Sequence, residues 1–165
     1  MTGEDFHLAQ VNVARFLHPP AAPELEDFFA NLVVVNALAD AAPGFVWRLV
    51  GEGDDATDLR PDPADAELLI NMSVWRDLPT LAAFVYRSDH TAVMRRRREW
   101  FGAMDVFLAL WWVPAGHRPS PAEALDRLEH LRRHGPTATA FTFREPYPAP
   151  TAERAPEGVL DMCGA

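Results

Sequence analysis

Apolar and polar residues alternate along several stretches of the chain, as they do in strands whose two faces meet different surroundings. In the first stretch Ala9, Val11 and Val13 are apolar, while Gln10 and Asn12 place amides on the opposite face. The stretch 67–75 alternates in the same way, with Leu68, Ile70, Met72 and Val74 apolar. The predicted strands cover residues 6–14, 45–50, 67–75, 106–113 and, as a short final strand, 138–144.

Other stretches repeat apolar residues at three- and four-residue steps, which is the period of an amphipathic helix. Ser120-Pro121-Ala122-Glu123 is a capping box with proline at the first helical position, and Gly135-Pro136 ends the helix that it opens. The predicted helices cover residues 23–42, residues 79–104 as one long or kinked helix, and residues 121–135.

The resulting order, β-α-β-β-α-β followed by a helix and a short strand, predicts an α+β fold. It is a ferredoxin-like unit, an antiparallel sheet with helices on one face. We expect residues 1–5 to be an N-terminal extension, 6–145 a single domain, and 146–165, rich in Pro, Ala and Gly, a disordered tail. Residues 51–65 are rich in Gly, Asp and Pro, a composition that indicates a solvated hairpin loop. The other sheet face must also be covered, and we expect a homodimer to cover it.

Composition narrows the classes of partner. The 165 residues carry a formal net charge of -9, which argues against nucleic acid, because binding phosphates needs clustered basic residues. No apolar run is long enough to span a membrane, and the N-terminus lacks the features of a secretory signal, so we expect a cytoplasmic protein. The single cysteine, Cys163, excludes an intrachain disulfide and a cysteine metal cluster.

Several segments together resemble the domain of unknown function 3291 family. They are residues 8–15 (LAQVNVAR), 36–39 (NALA), 44–49 (GFVWRL), 71–75 (NMSVW), 84–88 (FVYRS) with His90, 98–101 (REWF) and 110–117 (LWWVPAGH). The resemblance implies the dimeric α+β-barrel superfamily, which holds the antibiotic-biosynthesis monooxygenases. That superfamily includes cofactor-free oxygenases, haem-degrading enzymes, cyclases, isomerases and dehydratases, and fold analogy alone does not choose among them.

Polar residues on two strand faces are the first candidate site. Gln10 and Asn12 share a face of the first strand, while Asn71, Ser73 and Trp75 share a face of the third. A buried amide without a partner costs about 1–3 kcal/mol, so these residues need a ligand, water or each other. They either line a pocket or form a structural network, and the remaining alternative is that they lie on the solvated or dimer-facing side of the sheet.

Tyr86 and His90 are the candidate proton-transfer pair, because a four-residue step places them on one helical face. Histidine is the side chain best suited to move a proton near neutral pH, and it also ligates haem iron. Together with Asn12 they form the predicted catalytic set. A histidine that caps backbone carbonyls is the structural alternative.

Arginines and aromatic residues supply the remaining predicted substrate contacts. Arg48, on the second strand, and Arg97, within a run of four arginines, are candidates to hold an anion. Phe101 continues the helical face of Tyr86 and His90. Trp47 and Trp112 join Trp75 as flat walls that suit an aromatic ligand, although tryptophans mostly pack in cores. The sequence carries no motif for a metal, a nucleotide or a nucleophilic serine.

These observations predict a small enzyme that acts on an aromatic or polyketide-like molecule by acid/base chemistry, with or without oxygen as a co-substrate and without a dedicated cofactor. The alternatives are a cyclase or dehydratase that uses the same pocket, a haem protein with His90 as axial ligand, and a non-catalytic ligand-binding or dimerisation module.

Overall fold

The computed structural model describes residues 5–87, 95–104 and 106–151. Four strands form one antiparallel sheet in the order β2-β3-β1-β4. The strands are β1 Phe6–Ala14, β2 Phe45–Arg48, β3 Leu69–Trp75 and β4 Leu108–Pro114. This order, with the first and third strands paired at the centre, is that of a ferredoxin-like unit and confirms the predicted α+β fold.

The helices follow the predicted places in the chain. A 3-10 turn over Pro23–Leu25 leads into α1 Glu26–Ala41, and the others are α2 Leu78–Arg87, the single turn α3 Arg97–Trp100, and α4 Pro121–His134. The N-terminus of α4 is capped as predicted, since Ser120 Oγ accepts a hydrogen bond from Glu123 N at 3.1 Å. Among the described residues, no helix has the length and apolar content needed to cross a membrane.

The second predicted helix, 79–104, is wrong at its C-terminal end. Phe101 is extended and forms an isolated bridge with Phe16, and its ring stacks on Phe16 with centroids 5.5 Å apart. Aromatic packing at this point therefore ends the helix at Trp100, four residues early. Residues 88–94, in the middle of the predicted helix, lie outside the described residues.

The two faces of the sheet pack against different helices. On one face, Val11 and Trp111 belong to a buried cluster with Ala124, Leu128 and Leu131 of α4. Each such apolar side chain contributes about 1.5–3 kcal/mol when fully buried. The C-terminal helix thus covers the face that we expected a second subunit to cover.

The opposite face packs against the two crossover helices, as in the predicted unit. Leu8, Trp75 and Leu110 of the sheet form a buried cluster with Ala39 of α1 and Leu81 of α2. The helices stand off part of this face, and the gap between them and the sheet is the cavity described below.

The segment after α4 differs from its prediction. The expected strand 138–144 consists of one bridge, in which Phe141 and Leu110 exchange backbone hydrogen bonds of 2.8 Å. Tyr147, in the segment expected to be a disordered tail, packs on Phe141 with ring centroids 5.9 Å apart. Its hydroxyl also donates to Pro136 O at 3.2 Å. Contacts of the fold thus continue two residues past the predicted boundary.

Candidate functional site

A cavity of about 180 Å³ lies between the sheet and helices α1 and α2. Strands β1 and β3 form its floor, because the side chains at alternate positions of both strands point to this face. Aromatic rings supply much of its wall. They include Phe28, Phe45, Trp75, Phe84, Trp100 and Phe101.

A strip of polar side chains crosses the floor of the cavity. The strand register places Gln10 opposite Ser73, and Asn12 opposite Asn71. Gln10 Nε2 donates to Asn71 Oδ1 at 3.1 Å and to Ser73 Oγ at 2.8 Å. Asn12 Nδ2 lies 3.4 Å from both Gln10 Oε1 and Asn71 Oδ1. The prediction that the two polar faces converge is confirmed, and within the strip Gln10 and Ser73 are buried while Asn71 is exposed.

Trp75 is fixed at the end of this strip. Its indole is 1% exposed, and its Nε1 donates to Ser73 Oγ at 2.8 Å. The ring stacks on Phe84 at a centroid distance of 5.1 Å and meets the edge of Phe45 at 5.5 Å. A hydrogen bond and two ring contacts therefore hold the indole as a rigid wall of the cavity.

Arg97 supplies a positive charge at the cavity wall. Its guanidinium lies over the rings of Phe107 and Phe101, at 4.4 and 5.3 Å from their centroids, and Nη2 donates to Val13 O at 3.3 Å. Among the described residues no carboxylate forms an ion pair with it. Burial lowers the pKa of this guanidinium below its usual value. It nevertheless stays charged at neutral pH.

Arg48 also borders the cavity, but its charge is neutralised. Its Nε donates to Asp40 Oδ1 of α1 at 2.8 Å, and its Nη1 donates to the backbone oxygen of Asp54 at 2.6 Å. Through these contacts, Arg48 connects the edge strand β2 to α1 and to the loop that follows β2. Of the two arginines proposed to hold an anion, the structure therefore favours Arg97 and gives Arg48 a structural contact.

The loop after β2 contributes to the site, contrary to our expectation of a solvated hairpin. Asp55, Ala56 and Thr57 line the cavity, and Ala56 is buried. Asp55 Oδ1 accepts hydrogen bonds from Thr57 N at 2.8 Å and Thr57 Oγ1 at 2.6 Å. An Asp two residues before a Thr is a local turn signal, but nothing in the sequence indicates that this turn is buried.

Asn36 of α1 was also missed as a site residue. It lines the cavity from the helix side, where it is partly buried. The sequence feature that could have indicated it is an amide within the apolar stretch from Leu32 to Ala39.

Three predicted site residues do not line the cavity. Trp47 pairs with Val74 and packs on the far face of the sheet. Trp112 donates from Nε1 to Tyr147 O at 2.9 Å and packs beside Phe141. Tyr86 is 61% exposed. His90 lies outside the described residues, whereas the other predicted residues, Gln10, Asn12, Arg48, Asn71, Ser73, Trp75, Arg97 and Phe101, all line the cavity.

A second polar cluster lies on the far face and is separate from the cavity. Glu123 of α4 accepts from Trp111 Nε1 at 3.0 Å and is 2.7 Å from His117 Nε2. Burial alone would raise the pKa of the Glu123 carboxyl, but the hydrogen bonds with His117 and Trp111 lower it. In the described segments, no cluster of three or more histidine, cysteine or acidic residues has the arrangement of a metal site.

Solved structures similar to this one are distant in sequence. SnoaB, a cofactor-independent oxygenase from Streptomyces nogalater, is 19% identical over 68% of this chain and 95% of its own, with a TM-score of 0.44. A protein from Pseudomonas aeruginosa is 16% identical over 69% of this chain and 98% of its own, with a TM-score of 0.44. A protein of unknown function from Nitrosomonas europaea is 15% identical over 72% of this chain and 98% of its own, with a TM-score of 0.43.

Among curated proteins, none matches the chain in sequence. The model of one protein family does match, over residues 7–157, and its description is domain of unknown function, DUF3291. The match includes all four strands and the helices on both faces of the sheet. The chain therefore belongs to the DUF3291 family.

Proposed function

We propose that this protein is an enzyme that binds an aromatic or polyketide-like molecule in the cavity and acts on it by acid/base chemistry. The observation that carries the proposal is the Arg97 guanidinium, which borders an aromatic-walled cavity without an ion-pair partner among the described residues. A partly buried cation without a counter-ion is unfavourable for the fold. Such perturbed charges are concentrated at binding and catalytic sites.

In the proposed mechanism, the amides of Asn12 and Asn71 orient a carbonyl or phenol of the substrate, whose ring lies against Trp75. Removal of a proton next to that carbonyl leaves an enolate, and the positive charge of Arg97 stabilises the developing oxyanion. If oxygen takes part, the resulting carbanion reacts with it. His90 stays our prediction for the group that accepts the proton, from its place in the sequence alone.

Haem does not fit the described part of this cavity. No histidine of the described residues lines it, and its volume is about 180 Å³. Drug-sized ligands occupy about 300–1,000 Å³, and haem is larger than most of them. The proposal therefore uses no cofactor, and a haem titration that produces a Soret band would count against it.

The test is a ligand screen on the full chain, with paired variants. Thermal shift with a panel of aromatic acids, phenols and polyketide-like quinones should raise the melting temperature for at least one class. Arg97→Gln should lose that shift. Its exposed neighbour Arg98 provides the matched control, since Arg98→Gln should keep the shift. Turnover is then followed by mass spectrometry in air and under nitrogen. A panel without any shift would refute the proposal.

We also propose that the protein is a homodimer, and that two copies meet through α1. Helix α4 covers the far face of the sheet, whereas α1 carries an apolar surface without a partner among the described residues: Val33 is 68% and Val34 53% exposed. The exposed positions form one stripe along the helix, Ala30, Val33, Val34, Ala37, Leu38 and Ala41. A helix that is apolar on every side is normally buried.

The stripe is suited to a two-fold contact. Its positions are symmetric about a point between Val34 and Ala37, so an antiparallel copy pairs Val33 with Leu38 and Val34 with Ala37. An acid–arginine pair stands at each end, Asp27 with Arg96 and Asp40 with Arg48. An antiparallel arrangement brings the two unlike ends together, so each carboxylate gains an arginine of the other copy as a neighbour.

Two further points stay predictions from the sequence. The net charge of -9 argues against a nucleic-acid partner, and we propose that the protein acts in the cytoplasm.

A further inference from the structure

The hydrogen-bonding groups on the cavity floor are arranged so that mainly donors remain free. Ser73 Oγ accepts two hydrogen bonds, from Gln10 Nε2 and Trp75 Nε1, both at 2.8 Å. A hydroxyl has two acceptor lone pairs and one hydrogen. Its acceptor capacity is therefore filled, and the Ser73 hydrogen has no acceptor among the described residues.

Asn71 likewise has an occupied acceptor and free donors. Its Oδ1 faces two donors, Gln10 Nε2 at 3.1 Å and Asn12 Nδ2 at 3.4 Å. Its Nδ2 carries two hydrogens, and no described group accepts either of them. Arg97 adds further N–H donors and a positive charge at the same cavity. On the floor, Asn12 Oδ1 is the one amide oxygen that the described network leaves without a donor.

The other walls of the cavity do not reverse the preference of its floor for a ligand that accepts hydrogen bonds. Asn36, on the helix side, presents a donor and an acceptor alike. Asp55 lines the cavity from the loop, and one of its oxygens is held by Thr57. Burial lowers the pKa of Arg97, and no carboxylate of the described residues forms an ion pair that compensates its charge. A ligand with an anionic oxygen would therefore place that oxygen beside Arg97, away from Asp55.

The size of the cavity limits the rest of the ligand. Its volume of about 180 Å³ is slightly above the roughly 150 Å³ of a cavity that holds benzene. It is below the range of about 300 Å³ and more that encloses drug-sized molecules. The space fits one ring with a small substituent. Because the walls are aromatic, a flat, unsaturated ring packs best against them.

We propose that the cavity binds a single-ring aromatic oxyanion, a carboxylate or phenolate, through donors from Ser73, Asn71 and Arg97. The proposal rests on the cavity being the ligand site and narrows the substrate to one ring and one charge. It makes Ser73 a specificity-determining residue, because its hydroxyl can act only as a donor and therefore rejects ligands that present N–H or O–H at that point.

Calorimetry with four matched probes tests this: benzoate, its neutral isostere benzamide, the cation benzylammonium, and the two-ring 1-naphthoate. Benzoate should bind about tenfold or more tightly than benzamide, since hydrogen bonds to a charged group are the stronger ones. Benzylammonium should not bind, and naphthoate should bind more weakly than benzoate.

Two variants separate the contributions on the protein side. Arg97→Gln should remove the preference for benzoate over benzamide, while Arg98→Gln keeps it. Ser73→Ala should weaken benzoate about tenfold. Because that change also removes the acceptor of Trp75 Nε1, Ser73→Cys serves as a second variant that fills the space. Equal binding of benzoate and benzamide, or tighter binding of naphthoate, would overturn this inference but leave the cavity as a ligand site. No binding of any probe, together with a ligand screen without a hit, would overturn the proposed function itself.

Discussion

The indole Nε1 of Trp75 donates a hydrogen bond to Ser73 Oγ at 2.8 Å, although the two residues belong to the same strand. Residues two apart on a strand point to the same face, so the indole can fold back over the shorter side chain. Ser73 thereby joins an indole of the cavity wall to the amides of its floor. This one hydrogen bond both orients Trp75 and occupies an acceptor lone pair of Ser73, which leaves Ser73 to act as a donor.

Replacing Ser73 tests this link through stability. Ser73→Ala leaves the buried Nε1–H of Trp75 and one N–H of Gln10 without an acceptor, and each such group costs about 1–3 kcal/mol. Urea unfolding should therefore show a loss of about 2 kcal/mol or more, with an unchanged m-value. Thr139→Ala, at an exposed threonine, should change stability by less than about 0.5 kcal/mol. Equal effects of the two substitutions would show that the hydrogen bond is not formed.

Arg97 should be unfavourable for the fold and favourable for binding. Arg97→Met keeps an unbranched apolar stem while removing a partly buried charge that has no ion-pair partner among the described residues. We expect the free protein to be unchanged or more stable by up to about 2 kcal/mol, and anion binding to be lost. Urea unfolding with and without benzoate measures both. A variant less stable by several kcal/mol would show that the charge is compensated within the folded chain.

The Glu123 cluster should make stability depend on pH on the acid side. Its folded pKa is lowered, so its contribution is complete above the unfolded pKa near 4.5 and is lost as pH falls through the folded value. Glu123→Gln should therefore destabilise the protein more at pH 7 than at pH 3. The difference between the urea midpoints of wild type and variant, followed from pH 7 to pH 3, should shrink. A constant difference would mean that the carboxylate charge contributes nothing.

The α1 stripe should govern the oligomeric state. Val34→Glu places a charge at the centre of the proposed two-fold contact and should convert the dimer to monomer in sedimentation velocity. A comparable substitution on the far side of the molecule, Ala122→Glu at an exposed position of α4, should leave the dimer intact. A wild-type chain that stays monomeric at high micromolar concentration would contradict the dimer. A dimer unaffected by Val34→Glu would place the contact elsewhere.

Strand parity explains how much of the site could be predicted from the sequence. The convergence of Gln10 and Asn12 with Asn71 and Ser73 follows from alternation along two strands that the topology makes neighbours. The same rule misplaces Trp47, because it gives Trp47 the face of Phe45, which lines the cavity, whereas a register shift between these two residues turns Trp47 to the far face.

The features that could not be predicted depend on contacts between distant segments. Arg48 and Arg97 look alike in the sequence, and only the ion pair of Arg48 with Asp40 separates them. Ala56 is buried in a stretch whose composition indicates a solvated loop. Trp112 faces the expected side of the sheet, but Phe141 and Tyr147 from the end of the domain fill the space beside it. These contacts join different elements of the fold, so no local sequence pattern indicates them.

The central claim is that a ligand enters between the sheet and helices α1 and α2, and two indoles report on it directly. Trp75 Nε1–H lies at the cavity, bonded to Ser73, whereas Trp111 Nε1–H lies on the far face, bonded to Glu123. In a ¹H–¹⁵N spectrum titrated with benzoate, the Trp75 indole signal should shift with saturation while the Trp111 signal stays in place. A shift of Trp111 without one of Trp75, or saturating binding that moves neither, would contradict the account.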